Sequence, residues 1–221
     1  MRTQKIKIII SIVFSLFYIH QAVGADAVEQ LKTFTKQVKN AEGEFLQQQV
    51  SSKNVVDGKP KIIRQSQGKF AFMRPGKFVW ETLKPFEQVL IADGKQLIMW
   101  DKDLNQVTYR AANQALAATP AAILFGDTAL DTYFNLNVLA DKGGMAWVEL
   151  MPKANKDHGN DLPYSKIGVG MQNDQPQAME LYDTFGNVVL LTFTKIKTNT
   201  SLQASRFNFS PPVGAEIVRM K

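Results

Sequence analysis

A hairpin at residues 67–80, with the sequence QGKFAFMRPGKFVW, constrains the fold more than any other stretch of the chain. Two segments rich in Phe and Trp flank a Pro-Gly pair, which favours a type II turn. Because side chains alternate between the two faces of a strand, Phe70 and Phe72 share one face of the first strand, and Phe78 and Trp80 share one face of the second. The sequence therefore predicts a hairpin with a row of large apolar side chains on one face.

Arg74 lies on the same face as the two phenylalanines of its strand and ends their apolar row. A charge on such a surface is costly to bury unless it finds hydrogen-bond acceptors, and Pro75 holds Arg74 in the extended region. One interpretation is an apolar, ligand-sized surface with a polar latch at its rim. The other is an ordinary hairpin whose arginine is solvated. For the latch, we expect acceptors on the covering helices, around Thr119 or near Asn113.

The first 25 residues have the features of a secretory signal. Three basic residues precede an apolar run at 8–19, which is shorter than the roughly 20 apolar residues that a membrane span needs. Small residues at 23–25 precede the expected cleavage site, so the mature protein is predicted to begin at Asp26 in the periplasm. We therefore assign the signal peptide to 1–25 and a single domain to 26–221. The alternative is an uncleaved anchor.

The composition excludes several classes of site. The chain has no cysteine, which rules out a disulfide framework, a thiol nucleophile and a Cys metal site. Its two histidines are His20, within the expected signal, and His158, in a polar stretch, so a multi-histidine zinc site or a Ser-His-Asp triad has almost no material. We predict no metal and no cofactor.

The charge balance does not point to nucleic acid. The formal net charge is +6, and removal of the three basic residues of the expected signal leaves +3. No basic cluster is interleaved with aromatic residues, as a single-strand binder requires. We therefore predict no nucleic-acid partner.

Two pairs of carboxylates leave a secreted hydrolase as an alternative. Asp101 is close to Asp103 in the sequence, and Asp127 is close to Asp131. Both pairs fall at expected turns or helix starts, where Asp is common because it hydrogen-bonds to the nearby backbone. We therefore predict no enzyme activity and no catalytic residue.

Apolar segments separated by turn residues predict about ten or eleven strands. Twelve segments are candidates for these strands: 44–50, 62–73, 77–82, 88–92, 95–100, 106–110, 136–141, 146–151, 167–171, 178–182, 188–196 and 202–209. Tight turns between successive strands imply an antiparallel sheet, and a sheet of this size curls strongly or closes. The fold is predicted to be mainly β, a strongly curved, unclosed antiparallel barrel.

Helices are predicted in two parts of the chain. The stretch Asp26–Asn40 carries an apolar stripe at helical spacing, and Asp26 is a suitable N-cap. A short helix is predicted at Pro120–Phe125, followed by a second turn near Ala129–Tyr133. These helices would cover the concave side of the sheet. The sequence leaves open whether the interior packs solid or contains an apolar cavity.

A series of short motifs then occurs in order along the predicted mature chain. They are Gly68-Lys69-Phe70, Arg74-Pro75, Phe78-Val79-Trp80, Pro85, Val89-Leu90, Asp93-Gly94-Lys95, Asp101, Gln106-Val107-Thr108, Thr119-Pro120, Asp183 to Gly186, and Phe207 to Pro212. In this order they resemble the periplasmic outer-membrane lipoprotein carrier family, LolA. The resemblance implies a half-barrel with an α-helical lid over a hydrophobic cavity.

The resemblance also implies a function and its partners. The family carries acylated lipoproteins from the inner-membrane ABC transporter LolCDE to the outer-membrane receptor LolB. We expect this chain to act in the same way, as a monomeric chaperone. The alternative is a periplasmic lipid or glycolipid carrier, or a lipid-sensing domain, on the same half-barrel fold.

Site residues follow from the resemblance by position. The lid-closing arginine maps onto Arg74, the cavity aromatics of the hairpin onto Phe78 and Trp80, the lining leucine onto Leu90, and the lid helix onto Pro120–Phe125. The expected acyl-binding cavity is lined by Phe45, Phe70, Phe72, Phe78, Trp80, Leu90, Ile123 and Leu124.

Two parts of the chain depart from the resemblance. In the expected lid helix, Ala121 and Ala122 are smaller than the residues expected there, so the local lid contact is expected to be thinner. Ala71 stands where the family has an aromatic residue. This substitution is expected to matter less if that face of the strand points outward.

Overall fold

The computed structural model describes residues 26–56, 59–111, 130–153 and 163–220. Their helices are α1 (Ala27–Gln37), α2 (Leu130–Tyr133) and a 3₁₀ helix (Ala204–Phe207). Their strands are β1 (Asn40–Val56), β2 (Lys59–Met73), β3 (Lys77–Lys84), β4 (Gln88–Asp93), β5 (Gln96–Asp101), β6 (Gln106–Ala111), β7 (Phe134–Lys142), β8 (Met145–Pro152), β9 (Tyr164–Gln172), β10 (Gln175–Asp183), β11 (Asn187–Thr198) and β12 (Glu216–Arg219). The predicted signal peptide and the predicted lid helix lie outside the described residues.

The described strands form one sheet, in the order β12-β6-β5-β4-β3-β2-β1-β11-β10-β9-β8-β7. Neighbouring strands are antiparallel except β12 and β6, which are parallel. The edges are β12 and β7, so the sheet is not closed. The predicted fold class is confirmed, with twelve strands instead of ten or eleven.

One face of this sheet is strongly concave. Arg110 of β6 and Tyr164 of β9 belong to strands that are far apart in the order of the sheet, yet both line one cavity on this face. Helix α1 lies against β7, β8, β9 and β10 and contributes Leu31 and Phe34 to the buried apolar cluster on this face. The prediction that a helix covers the concave side is therefore confirmed for α1.

The aromatic hairpin has the predicted arrangement. Phe70 is opposite Trp80 and Phe72 is opposite Phe78, and all four side chains are buried in the cluster on the concave face. The turn contains a cis Arg74–Pro75 peptide bond, and Gly76 has a φ of 66°, a left-handed conformation that glycine adopts without steric cost.

Helix α1 begins as predicted and ends early. The Asp26 side chain caps it by accepting a hydrogen bond from the Glu29 backbone N–H at 2.9 Å. The helix stops at Gln37 because Val38 adopts an extended conformation that leads into β1. On the buried side, the Phe34 ring meets the Phe72 ring edge to face, with 6.2 Å between ring centroids.

The predicted strand at 202–209 is wrong. Its residues form the 3₁₀ helix and an irregular segment, and Phe207 is only 1% exposed. The Phe209 ring lies 5.8 Å from the Trp100 ring, in a second apolar cluster on the convex face. The apolar alternation that suggests a strand instead serves to pack this segment across β3 and β4. After Pro211-Pro212, the chain continues into β12, which the sequence analysis did not predict.

Two further predictions need correction. No strand is predicted between the segments 44–50 and 62–73, but β1 and β2 continue through most of this gap because backbone pairing, as between Val56 and Lys59, does not require apolar side chains. Ala71 is 1% exposed, so the face of β2 that carries it is not open to solvent. Its small side chain lies opposite Val79, which packs against the convex-face cluster.

Two glycines let aromatic rings lie against the backbone of the neighbouring strand. Phe70 is opposite Gly43, and Phe45 is opposite Gly68. A Cβ atom added at Gly68 would be 2.8 Å from the Phe45 ring and 1.9 Å from the Glu81 carbonyl oxygen of β3. The close approach of β1, β2 and β3 therefore depends on the missing side chain at this position.

This contact predicts that Gly68→Ala destabilises the fold. The added methyl group would force a backbone carbonyl away, so we expect a loss of about 1–3 kcal/mol or more in the free energy of unfolding. Urea unfolding followed by tryptophan fluorescence measures it. Lys69→Ala, at the next residue, whose side chain is partly exposed, is the control and should change stability by no more than about 0.5 kcal/mol. Equal unfolding midpoints for the two variants would contradict the role assigned to Gly68.

Candidate functional site

A cavity of about 300 Å³ opens on the concave face. Its lining comes from β1 to β6 on one side and from β9 and β11 on the other, because the sheet curves around it. The lining residues are Gln47, Ser66, Trp80, Thr82, Gln88, Leu90, Leu97, Met99, Thr108, Arg110, Tyr164 and Val189. The lining contains both apolar and polar side chains, and the two kinds lie on different parts of the cavity wall.

The apolar side of the cavity is a row across adjacent strands. Trp80 is opposite Leu90, Leu90 is opposite Met99, and Met99 is opposite Thr108. Directly opposed side chains on one face of a sheet are in contact distance. The row therefore presents a continuous apolar strip that ends at the hydroxyl of Thr108, which is only 3% exposed.

The polar side of the cavity is built from opposed pairs as well. Gln47 is opposite Ser66, and Thr82 is opposite Gln88. These side chains offer hydrogen-bond donors and acceptors without a net charge. The cavity is therefore amphipathic.

Two ionisable side chains line the cavity. Burial, and to a smaller extent the negative charge of Asp183, raise the pKa of Tyr164 above its ordinary value of 10, so its phenol is neutral at physiological pH. Arg110, on β6, is opposite Leu97 and carries a guanidinium group. Among the residues that the structure describes, the lining includes no Asp or Glu, so the charge that these residues place in the cavity is positive.

The predicted cavity residues fall into three groups. Trp80 and Leu90 line the cavity. Four others, Phe45, Phe70, Phe72 and Phe78, lie in the adjoining buried cluster. Ile123 and Leu124 lie outside the described residues.

The two regions meet at Trp80. Its ring stacks on that of Phe45, with 3.8 Å between centroids and 20° between ring planes. The Phe70 ring lies 6.2 Å away from it. Trp80 therefore belongs both to the cavity wall and to the cluster that packs beneath α1.

Arg74 connects the hairpin turn to the end of α1. Its Nε–H donates to the Val38 carbonyl at 3.0 Å, its guanidinium carbon lies 5.0 Å from the centre of the Phe72 ring, and its backbone N–H donates to the Lys39 carbonyl. The carbonyls at a helix C-terminus carry partial negative charge, which favours a cation there. The acceptors expected near Asn113 and Thr119 lie outside the described residues.

The sequence analysis did not identify the Val38 carbonyl or the polar side of the cavity. Backbone acceptors at a helix end leave no trace in side-chain patterns. The polar lining could have been predicted from the sequence, because the alternation of side chains along a strand places Gln88 on the same face as Leu90 in β4, and Arg110 on the same face as Thr108 in β6.

Two of the four carboxylates considered for a hydrolase have structural partners. Asp101 accepts from the Leu104 backbone N–H at 3.1 Å, and Asp131 pairs with Lys32 at 3.3 Å, while Asp127 lies outside the described residues. No group of three His, Cys, Asp or Glu side chains in the described ranges could hold a metal ion. Within the same ranges, no helix is long and apolar enough to cross a membrane.

Comparison with known sequences decides the family. The family model described as "Outer membrane lipoprotein carrier protein LolA" matches residues 36–210. The chain belongs to the LolA family. The resemblance found in the sequence motifs is thereby confirmed.

Relatives in the family match over most of their length. The outer-membrane lipoprotein carrier protein of Ralstonia nicotianae is 45% identical over 196 residues, which cover 88% of each chain. That of Dechloromonas aromatica is 39% identical over 194 residues, again covering 88% of each chain. Among solved structures, an uncharacterized conserved protein from Thermus thermophilus has a TM-score of 0.53 and 12% identity, covering 87% of this chain and 96% of that chain. At that identity the likeness supports the fold alone.

The geometry around Arg74 predicts a local effect of Arg74→Leu. The last turn of α1 loses a charged hydrogen bond at Val38, a type of bond that contributes about 1.5–3 kcal/mol. Hydrogen exchange of the Val38 amide, which donates to the Phe34 carbonyl, should therefore become faster. Arg219→Leu is a matched control, because Arg219 also lies over an aromatic ring, Tyr109, but is exposed and remote from α1. Unchanged protection of α1 in Arg74→Leu would show that the bond does not hold the helix end.

Proposed function

We propose that this protein is a periplasmic chaperone that binds the acyl chains of lipoproteins released from the inner membrane and delivers them to an outer-membrane receptor. The observation that carries the proposal is the apolar strip of Trp80, Leu90 and Met99 in a cavity on the concave face of a LolA-family fold. Its partners are acylated lipoproteins, the transporter LolCDE and the receptor LolB.

The energetics of acyl chains fit such a carrier. Removal of an acyl chain from water contributes about 0.8 kcal/mol per buried methylene group, so several long chains need protection in an aqueous compartment. Pockets for small ligands range over roughly 300–1,000 Å³, and this cavity of about 300 Å³ is at the small end. Complete lipoprotein cargo therefore requires the interior to expand.

The adjoining cluster is the part of the interior that can supply this volume. Phe45, Phe70 and Phe72 belong to this cluster, in which Phe72 contacts Phe34 of α1 and the Phe45 ring stacks on Trp80 of the cavity wall. Displacing α1 would break the Arg74–Val38 hydrogen bond, a contribution of about 1.5–3 kcal/mol. Because this hydrogen bond would have to break before cargo enters, it lowers the net affinity for cargo and so favours cargo release. Loading would then draw on ATP hydrolysis at the transporter, and delivery would proceed to a receptor with higher affinity.

A charge in the apolar strip should prevent cargo uptake. In Leu90→Glu, a carboxylate would face the cavity, where its burial costs several kcal/mol if it stays ionised. We expect loss of lipoprotein release from inner-membrane vesicles that contain LolCDE. Leu104→Glu is the control, because Leu104 is 69% exposed in a turn. Both variants should be shown to be folded by circular dichroism, and normal release by folded Leu90→Glu would refute the proposal.

Separate measurement of loading and transfer tests the role of Arg74. Arg74→Leu keeps an apolar stem and removes the donors to Val38. Cargo should then lie deeper or leave more slowly, so loading from LolCDE should persist while transfer to LolB fails. Arg219→Leu should support both steps. Normal transfer with defective loading would instead identify Arg74 as a docking residue.

A further inference from the structure

No acidic side chain among the described residues of the cavity wall balances the positive charge in the cavity. Arg110 is partly buried, and the lining residues that the structure describes include no Asp or Glu. No carboxylate among the described residues forms an ion pair with Arg110. Asp101, on the neighbouring strand β5, caps its own turn by accepting from the Leu104 N–H. A guanidinium placed beside apolar surface is costly unless acceptors reach it.

The register of β5 and β6 places this charge next to the apolar strip. Arg110 is opposite Leu97, and Thr108, two residues earlier on the same face, is opposite Met99. An acyl chain that lies along Trp80, Leu90 and Met99 therefore reaches Thr108 and Arg110 at the end of the strip. At that end, Thr108 supplies one hydroxyl group and Arg110 supplies five N–H donors.

We propose that Arg110, with Thr108, binds the oxygen-rich end of an acyl chain held in the cavity. The ligand class is an acyl chain that ends in oxygen acceptors, such as a carboxylate, a phosphate or an ester group. A guanidinium suits these acceptors because its planar donors can form two parallel hydrogen bonds to them. For lipoprotein cargo, where the acceptors are the ester and amide oxygens of the acylated N-terminus, the assignment rests on the proposed function.

Binding of matched amphiphiles tests this site. Dodecanoate and dodecanol have the same apolar chain, but only dodecanoate ends in an anionic acceptor pair. Isothermal titration of purified wild-type protein, Arg110→Gln and Arg110→Lys gives the dissociation constants. Arg110→Gln should weaken dodecanoate binding about tenfold or more and dodecanol binding by less than about threefold. Arg110→Lys, which keeps a charge without the planar fork, should recover part of the loss. Arg219→Gln should behave as wild type.

Two results would overturn the site. Equal weakening of dodecanoate and dodecanol by Arg110→Gln would mean that the side chain only shapes the cavity. Unchanged dodecanoate binding would mean that the guanidinium does not contact the ligand. Circular dichroism and the dodecanol titration together exclude a folding defect as the cause of a loss.

A synthetic triacylated lipopeptide identifies the source of the ligand. If Arg110→Gln also weakens its binding, the oxygens of acylated cargo occupy the site. If only dodecanoate binding falls, the site supports an anionic lipid as the ligand. Failure of the wild-type protein to bind the lipopeptide at all would refute the proposed function, while the dodecanoate result would still decide the role of Arg110.

Discussion

The interior of this protein depends on two aromatic rings that lie directly on glycine backbone. Phe70 covers Gly43 and Phe45 covers Gly68, so β1, β2 and β3 approach closely where their concave face carries its largest side chains. This arrangement places the Phe45 ring on Trp80. The stacked rings of Phe45 and Trp80 therefore lie at the boundary between the apolar cluster beneath α1 and the open cavity. A side chain at either glycine would change both regions together.

The concave face grades from apolar to polar, and this gradient bears on the proposed carrier role. Beneath α1 the face is apolar, and its contacts, such as Phe34 with Phe72, hold the helix by area burial. Further along, opposed polar pairs and Arg110 share the wall with Trp80, Leu90 and Met99. A uniformly apolar interior would hold acyl chains more tightly with every methylene group. An amphipathic cavity limits that gain, which is an advantage for a protein that must release its cargo.

The sequence predicted the parts of the fold that follow from local patterns. The period-two count placed Phe70, Phe72, Phe78 and Trp80 on one face, and the apolar stripe with its Asp26 cap predicted α1. Contacts between residues far apart in the sequence could not be predicted from such local patterns. The segment that contains Phe207 alternates like a strand but packs across the convex face, and β12 pairs with β6 in parallel from a distant position. The acceptor for Arg74 is a main-chain carbonyl, which has no sequence signature.

The two arginines on the concave face illustrate how surroundings separate structural from ligand-binding roles. Arg74 and Arg110 have the same chemistry, and each ends a row of apolar side chains on its strand or sheet. The protein itself supplies an acceptor for Arg74, at the C-terminal end of α1, so that side chain links two elements. Arg110 borders an open cavity, and no carboxylate within the described residues forms an ion pair with it. Placing a guanidinium beside apolar surface costs free energy at both positions unless an acceptor is present. The simplest source of an acceptor for Arg110 is therefore the ligand itself.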